Sequence, residues 1–365
     1  MTSMPTIPSQ PTIIIPTPTT PTSTTTPSRT EVKDLKDSKE FKETDTKIIS
    51  TYALHVQKQI CIGLDFGNIN ADIRRSFKEY NKHYANHVFN IQNLFRTAMT
   101  GLKGTAVVFG CGLIEPAAEL TLQFKKPVFV DYDKLSLNDV IKSIEVTLKA
   151  KDKADGTKKS IKAMKNVISF QHDLTGGGCD AINNTVAELL KQIGTVGCTE
   201  KEFVHRIITV MNKFEVNPTR LANVKELQQV NFVSSLLVMS QLYYHLHKYA
   251  NDIFVGFFKS KLLSHPEYKD AYKQFKAKLC QQHLYDLSAC VAPGGRIFFA
   301  DTFKHVTPKE SFDVVSPEIT KKIKSIFKII AEKEWSWLYK PEQNESYLVT
   351  GYILEKMDSP VPALT

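Results

Sequence analysis

Three short apolar runs in this sequence each stop at residues able to touch a ligand. Thr105–Phe109 runs into Gly110-Cys111-Gly112, residues 127–130 run into Asp131, and residues 166–170 lead to His172-Asp173. Glycines let a backbone turn sharply and approach a bound group with no Cβ in the way. Asp131 stands twenty-one residues beyond Gly110, the spacing at which a carboxylate accepts hydrogen bonds from ribose hydroxyls. Asp173 is placed to meet an adenine amino group. Together these residues describe a pocket for an adenosine-containing cofactor. A dinucleotide fingerprint would put a third glycine where Glu115 stands, followed here by Pro116. A carboxylate at a helix start repels a pyrophosphate but accepts from an ammonium group, which favours a cofactor with an amino-acid tail.

These residues need a sheet to hold them. From 69 to 99, Ile73, Phe77, Tyr80, Tyr84, Val88, Ile91 and Phe95 recur every three or four residues, one apolar stripe of a helix ended by Gly101 and Gly104. Short β-branched runs follow at 105–109, 127–130, 166–170, 231–235 and 296–300, the last entered through Pro293-Gly294-Gly295 and ending at Asp301. Helical patterns lie between them, at 116–123, 137–149, 181–193, 200–214 and 239–263. Alternating helices and apolar strands imply a mostly parallel α/β sheet of about seven strands with helices on both faces. The chain closes on two period-two segments, 334–339 and 346–355, joined by a Pro-Glu-Gln-Asn turn, which predicts an antiparallel hairpin.

VVFGCG, VFVDYD, ISFQHDLTG, NFVSSLLVMSQL, VAPGGRIFFADTF and the closing SYLVTGYILEKM, in that order, resemble the motifs of the Rossmann-like class I S-adenosylmethionine-dependent methyltransferases. The resemblance covers 105–357, interrupted at 176–229. It implies S-adenosylmethionine as cofactor, with Gly110, Cys111 and Gly112 beside its methionine portion, Asp131 on its ribose and Asp173 at its adenine. Ser234 and Ser235, after the fourth strand, would face the sulfonium and the acceptor. The family usually has an acidic residue two positions before the first glycine, where this chain has Val108, and Ile114 stands near its missing third glycine. Glu115 is the candidate to supply the absent carboxylate. A catalytically silent, partner-binding module is the alternative reading, and a nicotinamide-dependent oxidoreductase is disfavoured by Glu115 and the terminal hairpin.

Methyl transfer asks mainly for alignment, with a general base only where the nucleophile starts protonated. His172, Tyr243, Tyr244 and His245 are the candidate bases. No motif names the acceptor, a small molecule or a protein. His83 and His87, four apart on a helix, form an H-x-x-x-H pair without the glutamate or third ligand of a metal site. Tyr80 and Tyr84 either lid the cofactor pocket or pack in the core. Cys111 reads as a packing residue, the glycines at 176–178 as a loop, and Trp335 and Trp337 as neighbours on one side of a strand.

The composition fits this reading. With 365 residues, 42% hydrophobic and 23% charged, the chain is neither disordered throughout nor a coiled coil. Its first thirty residues hold seven of its seventeen prolines and eleven threonines, which predicts a disordered tail, followed by a mixed-charge linker to residue 47. A helical segment at 48–104, the methyltransferase-like domain at 105–357 with a helical insertion at 176–229, and a tail at 358–365 complete the expected layout. Six scattered cysteines with no CxxC pair suggest reduced thiols in a cytoplasmic setting, and no membrane span or signal peptide is evident. The net charge of +9 reads as solvated lysine faces and only weakly suggests a nucleic-acid partner.

Overall fold

The computed structural model describes residues 81–111, 115–221 and 224–357. Eight strands form one sheet: β1 (Thr105–Phe109), β2 (Lys126–Asp131), β3 (Ile168–Gln171), β4 (Val230–Leu236), β5 (Val291–Val306), β6 (Ser311–Asp313), β7 (Phe327–Lys340) and β8 (Glu345–Lys356). Their order is β3-β2-β1-β4-β5-β8-β7, with β6 pairing to β5. β3 through β5 are parallel, and β8 runs antiparallel between β5 and β7. The expected α/β sheet with its antiparallel terminal pair is therefore present.

The central strands are apolar because both faces are covered. On one face lie α1 (Asn81–Met99), α2 (Ala117–Gln123) and α3 (Lys134–Asp155). Phe95 of α1 sets its ring edge-on to Phe232 of β4 and Phe298 of β5, each 5.2 Å away. Leu137, Val140, Ile144 and Leu148, spaced at helical intervals, turn α3 onto the same core. Asp133 starts α3 by accepting from the amides of Leu135 and Ser136, and Gly156 ends it in the left-handed region. A single turn, α4 (Lys159–Lys162), precedes β3. The other face carries α5 (Gly178–Thr195), α6 (Glu200–Lys213), α7 (Val238–Phe258), α8 (Pro266–Cys290) and α9 (Pro317–Ile326).

Three elements depart from the sequence expectation. β5 does not end at Asp301; it runs on to Val306, six residues past Ala300, which pairs with Leu236 at the end of β4. At about 3.4 Å per residue, β5 therefore rises roughly 20 Å above the parallel strands. β7 and β8 rise beside it, with Trp335 opposite Val349 and Trp337 opposite Tyr347. The long helix α8 has no helical stripe to announce it, because its last turns are buried with polar as well as apolar residues: Gln282, His283, Leu284, Asp286 and Leu287 are all enclosed. β4 extends to Leu236, so Ser234 and Ser235 lie inside the strand, not after it.

Candidate functional site

Connections leave the sheet in opposite directions at β1 and β4, and the crevice above their carboxyl ends is where an open α/β sheet binds ligands. At its floor, Gly110 turns the chain at φ +72°, and a Cβ there would come within 2.5 Å of the Val238 side chain at the start of α7. The group that approaches this glycine is thus a neighbouring helix. The next residue makes the tie that shapes the site: the Cys111 amide donates to Oδ2 of Asp131 at 2.7 Å, and the Asp133 amide donates to Oδ1 at 2.9 Å. Burial raises the Asp131 carboxyl above its usual range, opposed by these two amides. Each oxygen keeps capacity for one further donor. The Cys111 side chain is buried, and burial together with Asp131 and Glu115 pushes its thiol well up, so it packs and is no nucleophile. Glu115 is also buried, 9% exposed. Gly112 and Ile114 lie outside the described residues, as do Tyr80, the side chain of His83 and both terminal tails.

On the β3 side, the backbone of His172 donates to the Asp131 carbonyl at 2.9 Å, and its ring stacks on Phe170 at 5.5 Å. Its Nε2 is buried without a hydrogen-bond partner, and burial with nearby Arg220 lowers its pKa. Asp173 holds the local backbone together: its carboxylate accepts from the Thr175 amide (2.8 Å), the Thr175 hydroxyl (2.5 Å) and the Gly177 amide (2.8 Å). Gly176 and Gly177 thus form a turn, held by Asp173, that leads into α5 at Gly178. Arg220 holds it from outside, donating to the Asp173 carbonyl at 2.8 Å while pairing with Asp286 at 2.5 Å. Burial still pushes the Asp286 carboxyl up to about 6 despite that partner.

The β4–α7 side corrects two expectations. Ser234 and Ser235 are both fully buried, and Ser235 Oγ lies 2.7 Å from His283 Nε2. A Ser–His contact suggests a nucleophile and base, but the pair is sealed in the core and burial holds His283 down to about 3. The other candidate bases sit on α7. Tyr243 donates to the Val314 carbonyl at 2.6 Å, and burial raises its phenol strongly. His245 is buried and held down to about 4, and half-exposed Tyr244 stands edge-on to it at 5.2 Å. His172 is three strands away from this group, roughly 14 Å across the sheet, so the four candidates do not form one constellation. Asp301, expected only to end a strand, accepts from the Ser240 amide at the start of α7 and is pushed up to about 6 by complete burial.

The sequence pairing of tryptophans hid a larger feature. Where β5, β7 and β8 rise past the crevice, rings form a continuous wall. His87 of α1 stacks on Trp337 (4.2 Å, 6° between planes); Trp337 meets Tyr84, Tyr339 and Tyr347; and Tyr347 stacks on His305 at 4.7 Å. Tyr84 is enclosed and donates to the Tyr339 carbonyl at 3.1 Å. Trp335 donates from Nε1 to His87 Nδ1 at 2.9 Å, which removes that nitrogen from any metal role. Period-two spacing places the tryptophans on one face, but only the long-range pairing of α1 with β7 brings His87 to them.

Among the described residues, no group of three or more His, Cys, Asp or Glu is arranged to hold a metal, and no helix is long and apolar enough to cross a membrane. A cavity of about 600 Å³ lies away from the crevice, at the opposite edge of the sheet, beside Gly294, Phe327 and Lys356.

No family model and no curated protein matches the sequence. Among solved structures, the chain is similar to the N-methyltransferase NodS from Bradyrhizobium japonicum WM9 in complex with S-adenosyl-L-homocysteine (8% identity, 75% of this chain and 86% of that one, TM-score 0.33). It is also similar to a TehB-like SAM-dependent methyltransferase from Corynebacterium glutamicum (10% identity, 78% and 99%, TM-score 0.33). The strand order and the antiparallel β5–β8–β7 end, read from the registers themselves, make this chain a Rossmann-like α/β protein.

Proposed function

We propose that this protein transfers a methyl group from S-adenosylmethionine to an acceptor held at the carboxyl edge of its sheet. One observation carries the reading: Asp131, at the end of β2, is locked by the Cys111 amide beside the first glycine turn and keeps a lone pair on each oxygen for a ribose hydroxyl. The six ordered motifs and the sheet order support it. His172, with its buried and unpartnered Nε2 beside the same edge, adds a polar contact for the adenine ring. Asp173 acts behind it by fixing the turn into α5.

The cofactor supplies an activated methyl on sulfur. When bound, it would give up that methyl to the acceptor's lone pair, the S–CH₃ electron pair staying on sulfur and any acceptor proton passing to solvent or a base. The chain's part is to hold acceptor and donor in line, which is worth up to roughly 7–11 kcal/mol of barrier. Its buried Tyr243 and His245 are poor bases in this state, so positioning dominates. Calorimetry with S-adenosylmethionine and S-adenosylhomocysteine tests the reading. Micromolar binding of both, together with radiolabel passing into a protein, nucleic-acid or small-molecule fraction, supports it; absence of binding by either sinks it.

A further inference from the structure

The ring wall contains two donors with nothing to donate to. Trp335 gives its N–H to His87 Nδ1, so Nδ1 carries no proton. A neutral imidazole must then carry its proton on Nε2, and burial keeps the ring neutral by holding its pKa to about 3. That Nε2–H is buried and has no partner. The Nε1–H of Trp337, whose ring lies stacked on His87, is likewise buried without a partner. A buried donor left unmet loses its hydration without a replacement, and most buried polar groups in a native core have a partner. No carboxylate or carbonyl of the described chain answers them. Glu345, at the start of β8, pairs with Lys340 at 3.4 Å and lies 3.5 Å from His305 Nε2.

We propose that the stacked His87 and Trp337 donors, framed by the rings of Tyr84, Tyr339 and Tyr347, receive a planar aromatic ligand through a carbonyl or carboxylate oxygen. The rings around the donors favour an aromatic body over an aliphatic one. The oxygen satisfies the two donors. The wall rises beside the crevice, so this ligand is the methyl acceptor if the methyltransferase reading holds, and the proposal of its role rests on that reading.

The chain holds only two tryptophans, and both lie in this wall, so fluorescence excited selectively in tryptophan reports on it. The full-length chain is titrated with acetophenone, with benzoate and with ethylbenzene, the oxygen-free counterpart of acetophenone, and each is also followed by calorimetry. Saturable binding of acetophenone or benzoate, with ethylbenzene at least about tenfold weaker, is expected. Trp337→Phe keeps a ring and removes one donor; with its fold checked by circular dichroism, it should lose most of that preference. Equal affinity for ethylbenzene, an unchanged preference in a folded Trp337→Phe, or no binding by any probe would overturn the proposal. If that variant does not fold, the comparison of the three probes on the unaltered chain decides by itself. S-adenosylmethionine is titrated separately: its failure to bind sinks the transferase reading while leaving the aromatic site standing, and the reverse result does the opposite.

Discussion

The amide of Cys111 donates to the carboxylate of Asp131 at 2.7 Å, tying the turn after β1 to the end of β2. Replacing Asp131 by Ala removes both this tie and the proposed ribose contact. Hydrogen bonds to a charged group contribute about 1.5–3 kcal/mol, so S-adenosylmethionine should bind roughly 10- to 100-fold more weakly in calorimetry. An unchanged dissociation constant would remove Asp131 from the site.

Trp335→Phe keeps an aromatic ring at the join of β7 and α1 but strips His87 Nδ1 of its donor. The loss should cost about 1–3 kcal/mol in urea unfolding. A midpoint equal to that of the unaltered chain would show that the 2.9 Å contact contributes nothing to stability.

Arg220→Met leaves Asp286 buried without its cation, since the two side chains are 13% and 3% exposed. Breaking such a pair from one side costs about 3–5 kcal/mol. Asp286→Asn in the same background should recover part of it. Because Arg220 also holds the Asp173 and Leu174 carbonyls, cofactor affinity should fall in Arg220→Met even at temperatures where it remains folded. Full retention of both stability and affinity in the single variant would contradict the structure.

Acid should destabilise the fold. His87 and His283 are held down to about 3 and His245 to about 4, each by burial, against an ordinary 6.5. Below about pH 6.5 the unfolded chain takes up protons that the folded chain refuses, so the stability these rings contribute at neutral pH drains away as pH falls toward 3. Asp286 and Asp301 act in the opposite sense, because the folded chain protonates them near 6 and the unfolded chain only near 3.8. Three histidine displacements of roughly three units outweigh two carboxylate displacements of roughly two. Urea midpoints should therefore decline between pH 7 and pH 4.5. A rise over that interval would mean the three rings are not buried neutral.

The strand cores and the mostly parallel sheet were legible, because apolar runs such as TAVVF and KPVFVD end abruptly at Gly110 and Asp131, and the final hairpin was legible from its period-two texture. The helix α8 was not, because its Gln282, His283 and Asp286 satisfy one another, Ser235, Asn217 and Arg220 inside the core, erasing the polar face that marks a surface helix. Ser234 and Ser235 were placed after the fourth strand by the family resemblance, yet here Ser235 is enclosed with a histidine from a helix 48 residues on. The positions of Asp131 and His172 followed from local spacing. The ring wall did not, since it depends on where α1 meets β7.

That meeting has a consequence for how the protein is made. His87 and Trp335 are 248 residues apart, while Cys111 and Asp131 are 20 apart. On a ribosome the turn after β1 and the end of β2 emerge together, so the proposed cofactor half of the crevice can assemble from neighbours as soon as β1, β2 and α3 are outside the tunnel. The wall must wait for β7 and β8, and loop-closure entropy delays its docking on α1 further. A nascent or truncated chain lacking β7 would carry α1 with Tyr84 and His87, the residues that meet Trp337 and Trp335, uncovered, a surface for chaperones or aggregation until synthesis ends.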